Sequence, residues 1–293
     1  MNLALTVLNI TAPVFLLAAV GFAWVKMGFE YRVEFVTRLA MTLSVPCLIF
    51  VALMKTEIDP EALATLTLAS LVAYTLVAIA FLVVVKVCKL DMQTFLAPLI
   101  FGNTGNLGLP LALFAFGEVG LGYAVVVFAV MAILSFTVGI WLVSGGGSLT
   151  KVVKEPLVAA TLLGALFLWN GWETPEFLTN ALELIGQMAI PIMLITLGVA
   201  VARLETKAMT QAVILSVVKV GVCAGAAWWA ATWFGLSPVA AAVLIVQVST
   251  PVAVTSYMLA EKYGADAQPV AGLVVASTVL SVISLPLILA FVI

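Results

Sequence analysis

Histidine is absent from this sequence, and only 9% of its 293 residues carry a charge. Because a soluble globular domain has about 25% charged residues, the composition excludes a water-soluble protein. The missing histidine removes the most common general base, proton shuttle and metal ligand, and with it most hydrolase, zinc-protease and haem chemistry. The three cysteines, Cys47, Cys88 and Cys223, show no CxxC spacing and predict no disulfide framework.

Long apolar runs fill almost the whole chain, since 65% of the residues are hydrophobic and the mean hydropathy is +1.28. A helix that crosses a bilayer needs about 20 apolar residues, so there is room for roughly ten crossings and for no separate soluble catalytic domain. Backbone groups in lipid must be satisfied within each segment, and the runs lack the alternation of barrel strands, so helices are predicted. Spans 1 to 10 are predicted at residues 4–26, 35–54, 62–87, 93–116, 120–143, 152–170, 177–201, 209–234, 238–260 and 269–292.

The basic residues predict the orientation of the spans. Nine of them follow odd-numbered spans, whereas Lys55 alone follows an even-numbered one. Since positive loops stay in the cytoplasm, we expect a multi-pass protein of the plasma (inner) membrane with both termini on the extracytoplasmic side. The net charge of −2 is too small to predict a nucleic-acid partner. The nine basic residues are Lys26, Arg32, Lys86, Lys89, Lys151, Lys154, Arg203, Lys207 and Lys262.

The two halves of the chain resemble each other weakly but at matching places. Pro46 in span 2 and Pro191 in span 7 are 145 residues apart, and the glycines that follow spans 4 and 9 are 147 residues apart. Five spans per half is an odd number, so the second half crosses the membrane in the opposite direction. We therefore predict an all-α membrane protein of ten helices, built as an inverted repeat of residues 1–147 and 148–293. Such repeats are typical of secondary transporters, and duplication without transport is the alternative.

Spans 4 and 9 each contain a predicted break at membrane depth. Span 4 contains the run GNTGNLGLP, which begins at Gly102, and span 9 contains the run QVSTPV. Glycine and proline inside a helix cost about 1 and 3 kcal/mol relative to alanine, so two half-helices with an unwound joint at residues 103–106 are expected in span 4. In span 9, Thr250 is predicted to be the N-cap and Pro251 the first residue of the second half-helix.

Half-helix N-termini exposed by such breaks form a site for a carboxylate. Each carries about half a positive charge and free amide donors. Close helix packing is the alternative explanation of the glycines. The side-chain oxygens of Gln247, Ser249 and Thr250 would also suit a sodium ion, and no other metal or cofactor is expected. The predicted substrate-binding residues are Asn103, Thr104, Gly105, Asn106, Gln247, Ser249, Thr250, Pro251, Tyr257 and Lys219.

Lys219 lies deep in span 8, where a charge is costly and marks a candidate functional site. It would neutralise a bound anion or pair with Glu183 or another carboxylate; a structural ion pair or a water-filled crevice is the alternative. The opposite wall of the site is predicted at the proline kinks of spans 2 and 7, with helix bending alone as the alternative. Its candidate residues are Ser44, Pro46, Cys47, Pro191, Met193 and Thr196.

The run from Gly102 to Pro110, together with Pro251 and the segment 257–264, resembles the auxin efflux carrier family, which includes plant PIN carriers and bacterial malate or malonate permeases. The resemblance implies a fold like that of the bile acid symporters. Spans 1, 2, 6 and 7 would form a scaffold, and spans 3–5 and 8–10 would form a mobile transport domain whose crossed broken helices are spans 4 and 9. A homodimer through the scaffold is also implied.

The chain departs from the plant members at two places. Their first crossing reads Asn-Pro-Asn-Thr-Tyr; here Asn103 and Thr104 match, whereas Gly102 replaces the proline and Gly105 the tyrosine. The short stretch 145–154 takes the place of their long cytoplasmic loop. These departures leave the substrate open.

The sequence thus predicts a secondary transporter of small organic anions, in particular carboxylates, that works in the lipid bilayer by elevator-type alternating access. A sodium-coupled organic-anion symporter of the bile acid symporter type and an anion channel are the alternatives. An enzyme is not expected, because an intramembrane hydrolase would need paired aspartates or a nucleophile and base at the midplane, and Asp59, Asp91 and Asp266 are predicted in loops.

Overall fold

The computed structural model of the chain describes residues 3–55, 58–144, 156–203 and 209–293. Within these ranges the protein is helical throughout, apart from short connections and one isolated β-bridge, so the all-helical prediction is confirmed. The helical segments are Leu3–Lys26, Val33–Leu39, Ala40–Ser44, Val45–Met54, Pro60–Val87, Met92–Ile100, Thr104–Gly108, Leu109–Leu134, Ser135–Gly139, Ile140–Ser144, Pro156–Asn170, Glu176–Gln187, Ala189–Arg203, Met209–Trp233, Pro238–Val248, Val254–Tyr263 and Ala267–Val292.

Seven helical stretches of the described chain are long and apolar enough to cross a bilayer. One of them, Thr104–Ser144, has 41 residues, about twice the length that a single crossing needs. Gly117 interrupts it with φ 64° and ψ −155°, a backbone conformation that glycine tolerates because it has no Cβ. Spans 4 and 5 therefore meet at Gly117. The chain thus has many apolar helices, as expected of a multi-pass membrane protein.

The three aspartates lie at the N-caps of helices. Asp59 accepts a hydrogen bond from the backbone N–H of Glu61, and Asp91 accepts one from that of Thr94. Asp266 caps the last long helix in the same way. A carboxylate at an N-cap satisfies an otherwise unpaired amide and interacts favourably with the helix dipole.

Glycines allow spans 1 and 7 to approach closely along their length. A Cβ built on Gly21 would lie 2.0 Å from the carbonyl oxygen of Ile195, and one on Gly198 would lie 1.7 Å from that of Ala18. Span 2 packs on span 6 and on the first helix of span 7, whereas span 8 packs on spans 3, 9 and 10. Small residues at helix contacts are the usual device for bringing backbones together in a membrane.

Candidate functional site

Spans 4 and 9 are both interrupted, and their unwound segments pair with each other. The backbone N–H of Asn103 donates to the carbonyl oxygen of Pro251 at 2.7 Å, and Gly102 forms an antiparallel bridge with Val252. We call residues 101–103 and 249–253 the junction. A β-type pairing between two chain segments satisfies backbone groups that a broken helix leaves free, as burial requires.

The joint in span 4 lies earlier than predicted, at residues 101–103 instead of 103–106. The first half-helix ends at Ile100, and the chain resumes a helical path at Thr104 as a π-helical turn. The amides of Leu107 and Gly108 both donate to the carbonyl oxygen of Asn103, at 3.1 and 3.2 Å. The run of glycine and asparagine is therefore wound, and only its first residues are extended.

The predicted N-cap in span 9 was wrong. The second half-helix begins at Val254, with Ala253 in the N-cap position and no side-chain cap. The Thr250 hydroxyl instead donates to the carbonyl oxygen of Gln247 at 2.7 Å, at the end of the first half-helix. In a continuous helix that carbonyl would accept the N–H of residue 251, and Pro251 has none. The hydroxyl replaces the missing donor.

The glycines of span 4 bring its backbone against side chains of span 9. A Cβ on Gly102 would lie 2.3 Å from Oγ1 of Thr250, and one on Gly108 would lie 2.0 Å from Oε1 of Gln247. The close-packing interpretation of these glycines therefore holds, and it also explains how the junction forms. On the other side of the turn, a Cβ on Gly105 would lie 3.3 Å from Cε of Met193 in span 7.

A small cavity of about 50 Å³ lies beside the junction. We call it the junction cavity. Two half-helices begin at it, one at Thr104 and one at Val254, and neither N-cap side chain bonds to its helix. Among the residues that the structure describes, no charged side chain lines it. Its lining residues are Met41, Phe101, Gly102, Asn103, Gly105, Asn106, Phe128, Met131, Ala132, Ser135, Ala253, Val254 and Thr255.

Three of the predicted substrate-binding residues, Asn103, Gly105 and Asn106, line this cavity. Asn103 is 4% exposed, and its Nδ2 atom has no hydrogen-bond partner among the described residues. An amide donor buried without a partner is costly, so a ligand group that accepts from it would be stabilised.

The other predicted residues of spans 4 and 9 lie in or near the junction and are absent from the described lining of the cavity. The Thr104 hydroxyl, Gln247 Oε1 and the Ser249 hydroxyl are buried, and they too lack partners within the described part of the chain. The Gln247 amide nitrogen donates to the carbonyl oxygen of Ala124 at 3.4 Å. Tyr257 is half-buried and packs against the apolar core.

Lys219 was predicted to contact the bound anion or Glu183, but its side chain contacts neither Glu183 nor the junction cavity in the described structure. Its side chain is buried, and Nζ donates to the carbonyl oxygen of Leu99 at 2.7 Å, with Sγ of Cys223 at 3.9 Å. In an unbroken helix Leu99 would accept the N–H of Asn103, which is used by the junction. The ammonium group thus caps the C-terminal, partly negative end of the first half-helix. Glu183, the predicted partner, pairs with Lys55 instead.

The predicted wall from spans 2 and 7 contributes less to the cavity than expected. Met193 approaches Gly105, but Ser44, Pro46 and Cys47 are absent from the described lining, where span 2 contributes Met41.

Thr196 serves a contact between spans instead. Its hydroxyl lies 2.7 Å from the hydroxyl of Tyr31 and also donates to the carbonyl oxygen of Ile192. Arg203 donates to the Tyr31 carbonyl, so the loop after span 1 is fixed on span 7. Burial raises the pKa of Tyr31, and the hydrogen bond with Thr196 lowers it by less.

Several lining residues carried no clear signal in the sequence. Met41 and Ser135 belong to the π-helical segments Ala40–Ser44 and Ser135–Gly139, and the third such segment is Thr104–Gly108. All three segments reach the same cavity, and π-helical turns are frequent at functional sites. Phe101, Phe128, Met131 and Thr255 also line it. Apolar residues inside apolar spans are indistinguishable by sequence from those that face lipid.

A second, larger cleft of about 760 Å³ lies between span 2, span 7 and the turn at Gly117. Pro191 lines this cleft, as do Glu118 and the Lys55–Glu183 ion pair. The predicted wall residue Pro191 therefore faces a space other than the junction cavity.

Comparison with known proteins identifies the family. The model of a family described as membrane transport protein matches residues 6–151 and, a second time, residues 144–289. A curated relative, the uncharacterized transporter MJ1031 of Methanocaldococcus jannaschii, is 27% identical over 199 residues. That similarity covers 64% of this chain and 64% of the relative's length. The resemblance to the auxin efflux carriers is confirmed, and the chain belongs to the membrane transport protein family.

Proposed function

We propose that the protein is a secondary transporter of small organic anions, carboxylates in particular, which bind at the junction cavity. The observation that carries this proposal is the meeting of two uncapped half-helix N-termini with the unpartnered amide of Asn103 at one cavity. Backbone amides and the positive ends of helix dipoles favour an anion. Carboxylate oxygens accept such donors without a cationic side chain, which the described lining lacks.

The proposed architecture is ten spans in two inverted halves, residues 1–147 and 148–293. The double match of the family model supports an internal repeat, because the two matched segments are equal in length and overlap only at residues 144–151. Five spans per half would place both termini on the extracytoplasmic side of the plasma (inner) membrane, in agreement with the distribution of basic residues.

The proposed mechanism is elevator-type alternating access. The scaffold would consist of spans 1, 2, 6 and 7, and the transport domain of spans 3–5 and 8–10. Helix packing supports this division, because span 1 packs chiefly on span 7 and span 2 on span 6, whereas span 8 packs on spans 3, 9 and 10. The junction and its cavity would move with the transport domain. A homodimer through the scaffold remains part of the proposal.

A sodium-coupled symporter is the second candidate. Three buried oxygens beside the junction favour it, since Thr104 Oγ1, Gln247 Oε1 and Ser249 Oγ have no partners within the described ranges. Oxygen atoms of this kind are ligands of hard cations, and unwound segments of broken helices coordinate sodium in transporters. Sodium dependence of ligand binding separates this candidate from an uncoupled carrier.

The test is ligand-induced stabilisation of the purified protein and counterflow in proteoliposomes, each with carboxylates in sodium and in potassium buffer. Asn103→Ala and Asn106→Ala remove neutral donors to a charged ligand, a hydrogen bond of about 1.5–3 kcal/mol, and should weaken binding roughly tenfold or more. Asn170→Ala is the matched control, because Asn170 is exposed and its side-chain amide donates to the carbonyl oxygen of Leu166 in its own helix. Equal affinity in all three variants would refute the site.

A further inference from the structure

We infer that the larger cleft, between span 2, span 7 and the turn at Gly117, binds an amphipathic organic cation with a single positive charge. This site is separate from the junction cavity, because the described linings of the two spaces share no residue. The inference rests on the size of the cleft, on its charge and on an aromatic side chain beside the turn.

The larger cleft has the size and the walls of a small-molecule site. Its volume is about 760 Å³, and pockets for drug-sized ligands typically have roughly 300–1,000 Å³. Most of its lining is apolar, so removal of an apolar ligand body from water would stabilise the complex. The apolar lining includes Leu48, Val51, Leu113, Leu121 and Ile190.

The charged side chains of the larger cleft leave one negative charge uncompensated. In the described lining these residues are Lys55, Glu118 and Glu183, so their net charge is −1. Lys55 pairs with Glu183, whereas Glu118 has no ion pair among the residues that the structure describes. A cation that binds beside Glu118 would compensate this charge, and an anion would be repelled.

Phe114 adds a second group that suits a cation. Its side chain lines the same cleft, is 38% exposed, and precedes Glu118 by four residues, across the turn at Gly117. The face of an aromatic ring attracts a cation electrostatically, and quaternary ammonium ligands are recognised in this way. An ammonium group with an apolar body would therefore meet a carboxylate, an aromatic ring and apolar walls in one space.

The experiment measures thermal stabilisation of the full-length protein by 4-phenylbutyltrimethylammonium, at pH 7 in an uncharged detergent. The control ligand is 5-phenylpentan-1-ol, which has a similar apolar body and no charge. We expect the cation to bind at least tenfold more tightly than the alcohol. Equal affinity of the two ligands, or no stabilisation by the cation, would overturn the inference.

Four variants test where the cation binds. Glu118→Gln and Phe114→Leu should each weaken cation binding at least threefold, whereas Glu173→Gln, at an exposed glutamate outside the described lining, should leave it unchanged. Lys55→Gln leaves Glu183 without its partner and should strengthen cation binding at least threefold. Wild-type affinity in both Glu118→Gln and Lys55→Gln would refute the site.

A bound cation should also slow transport, a consequence that rests on the proposed mechanism. Spans 2 and 7 would belong to the scaffold and the turn at Gly117 to the transport domain, so the ligand would contact both and oppose their relative movement. Carboxylate counterflow in proteoliposomes should therefore fall at saturating cation, and Glu118→Gln should reduce this inhibition. Stabilisation by the cation without any effect on counterflow would support the cation site and contradict the proposed movement.

Discussion

Replacement of Thr250 by valine should lower the stability of the protein without weakening ligand binding. Valine has nearly the same shape but lacks the hydroxyl that donates to the carbonyl oxygen of Gln247 at 2.7 Å. That carbonyl would still accept the N–H of Thr250 at 3.3 Å, but Pro251 has no N–H to offer. Loss of the better partner of a buried carbonyl costs about 1–3 kcal/mol.

The matched control is Thr75→Val. The Thr75 hydroxyl also donates to a carbonyl oxygen, that of Leu71 at 2.7 Å, but Thr75 is exposed in the middle of a regular helix. The carbonyl of Leu71 already accepts the helical N–H of the same residue, so the loss should be within about 0.5 kcal/mol. The two variants thus remove the same group from one interrupted and one continuous helix.

The assay is equilibrium unfolding in detergent micelles, followed by ligand-induced thermal stabilisation of each variant. The expected result is a clear loss of unfolding free energy for Thr250→Val alone, with carboxylate affinity within twofold of wild type. Equal stability of the two variants would refute the capping role. A large loss of affinity with unchanged stability would restore the predicted substrate contact of Thr250.

Two further predictions concern packing and charge away from the junction. Gly198→Ala places a Cβ 1.7 Å from the carbonyl oxygen of Ala18, so overpacking between spans 1 and 7 should cost about 1–3 kcal/mol in the same unfolding assay. The control Gly221→Ala meets no atom within 4 Å among the described residues and should be neutral or slightly stabilising. An equal loss of stability in both variants would contradict the packing argument. Lys55→Gln breaks the ion pair with Glu183, whose side chains are 52% and 31% exposed. The variant should therefore change the unfolding free energy by less than about 1 kcal/mol and reduce the dependence of stability on salt. A loss well above that value would show that the pair is shielded from solvent.

The sequence by itself determined the class of fold and which spans are interrupted. Apolar runs of this length must be helical in lipid, since each has to satisfy its own backbone hydrogen bonds. Spans 4 and 9 were predicted to break because they combine glycine, asparagine and proline at membrane depth, and the structure interrupts the helix at residues 101–103 and 249–253. Local backbone chemistry is sufficient for these predictions.

Tertiary structure alone decided which groups meet at and around the junction. The donor for the Leu99 carbonyl is a lysine 120 residues away, and the backbone N–H of Asn103 donates to the carbonyl oxygen of Pro251. The lining residue Met41 lies within the π-helical turn Ala40–Ser44, which the sequence does not signal. Sequence patterns record which backbone groups a break leaves free, but the partners of those groups come from other spans, and packing between helices sets their approach.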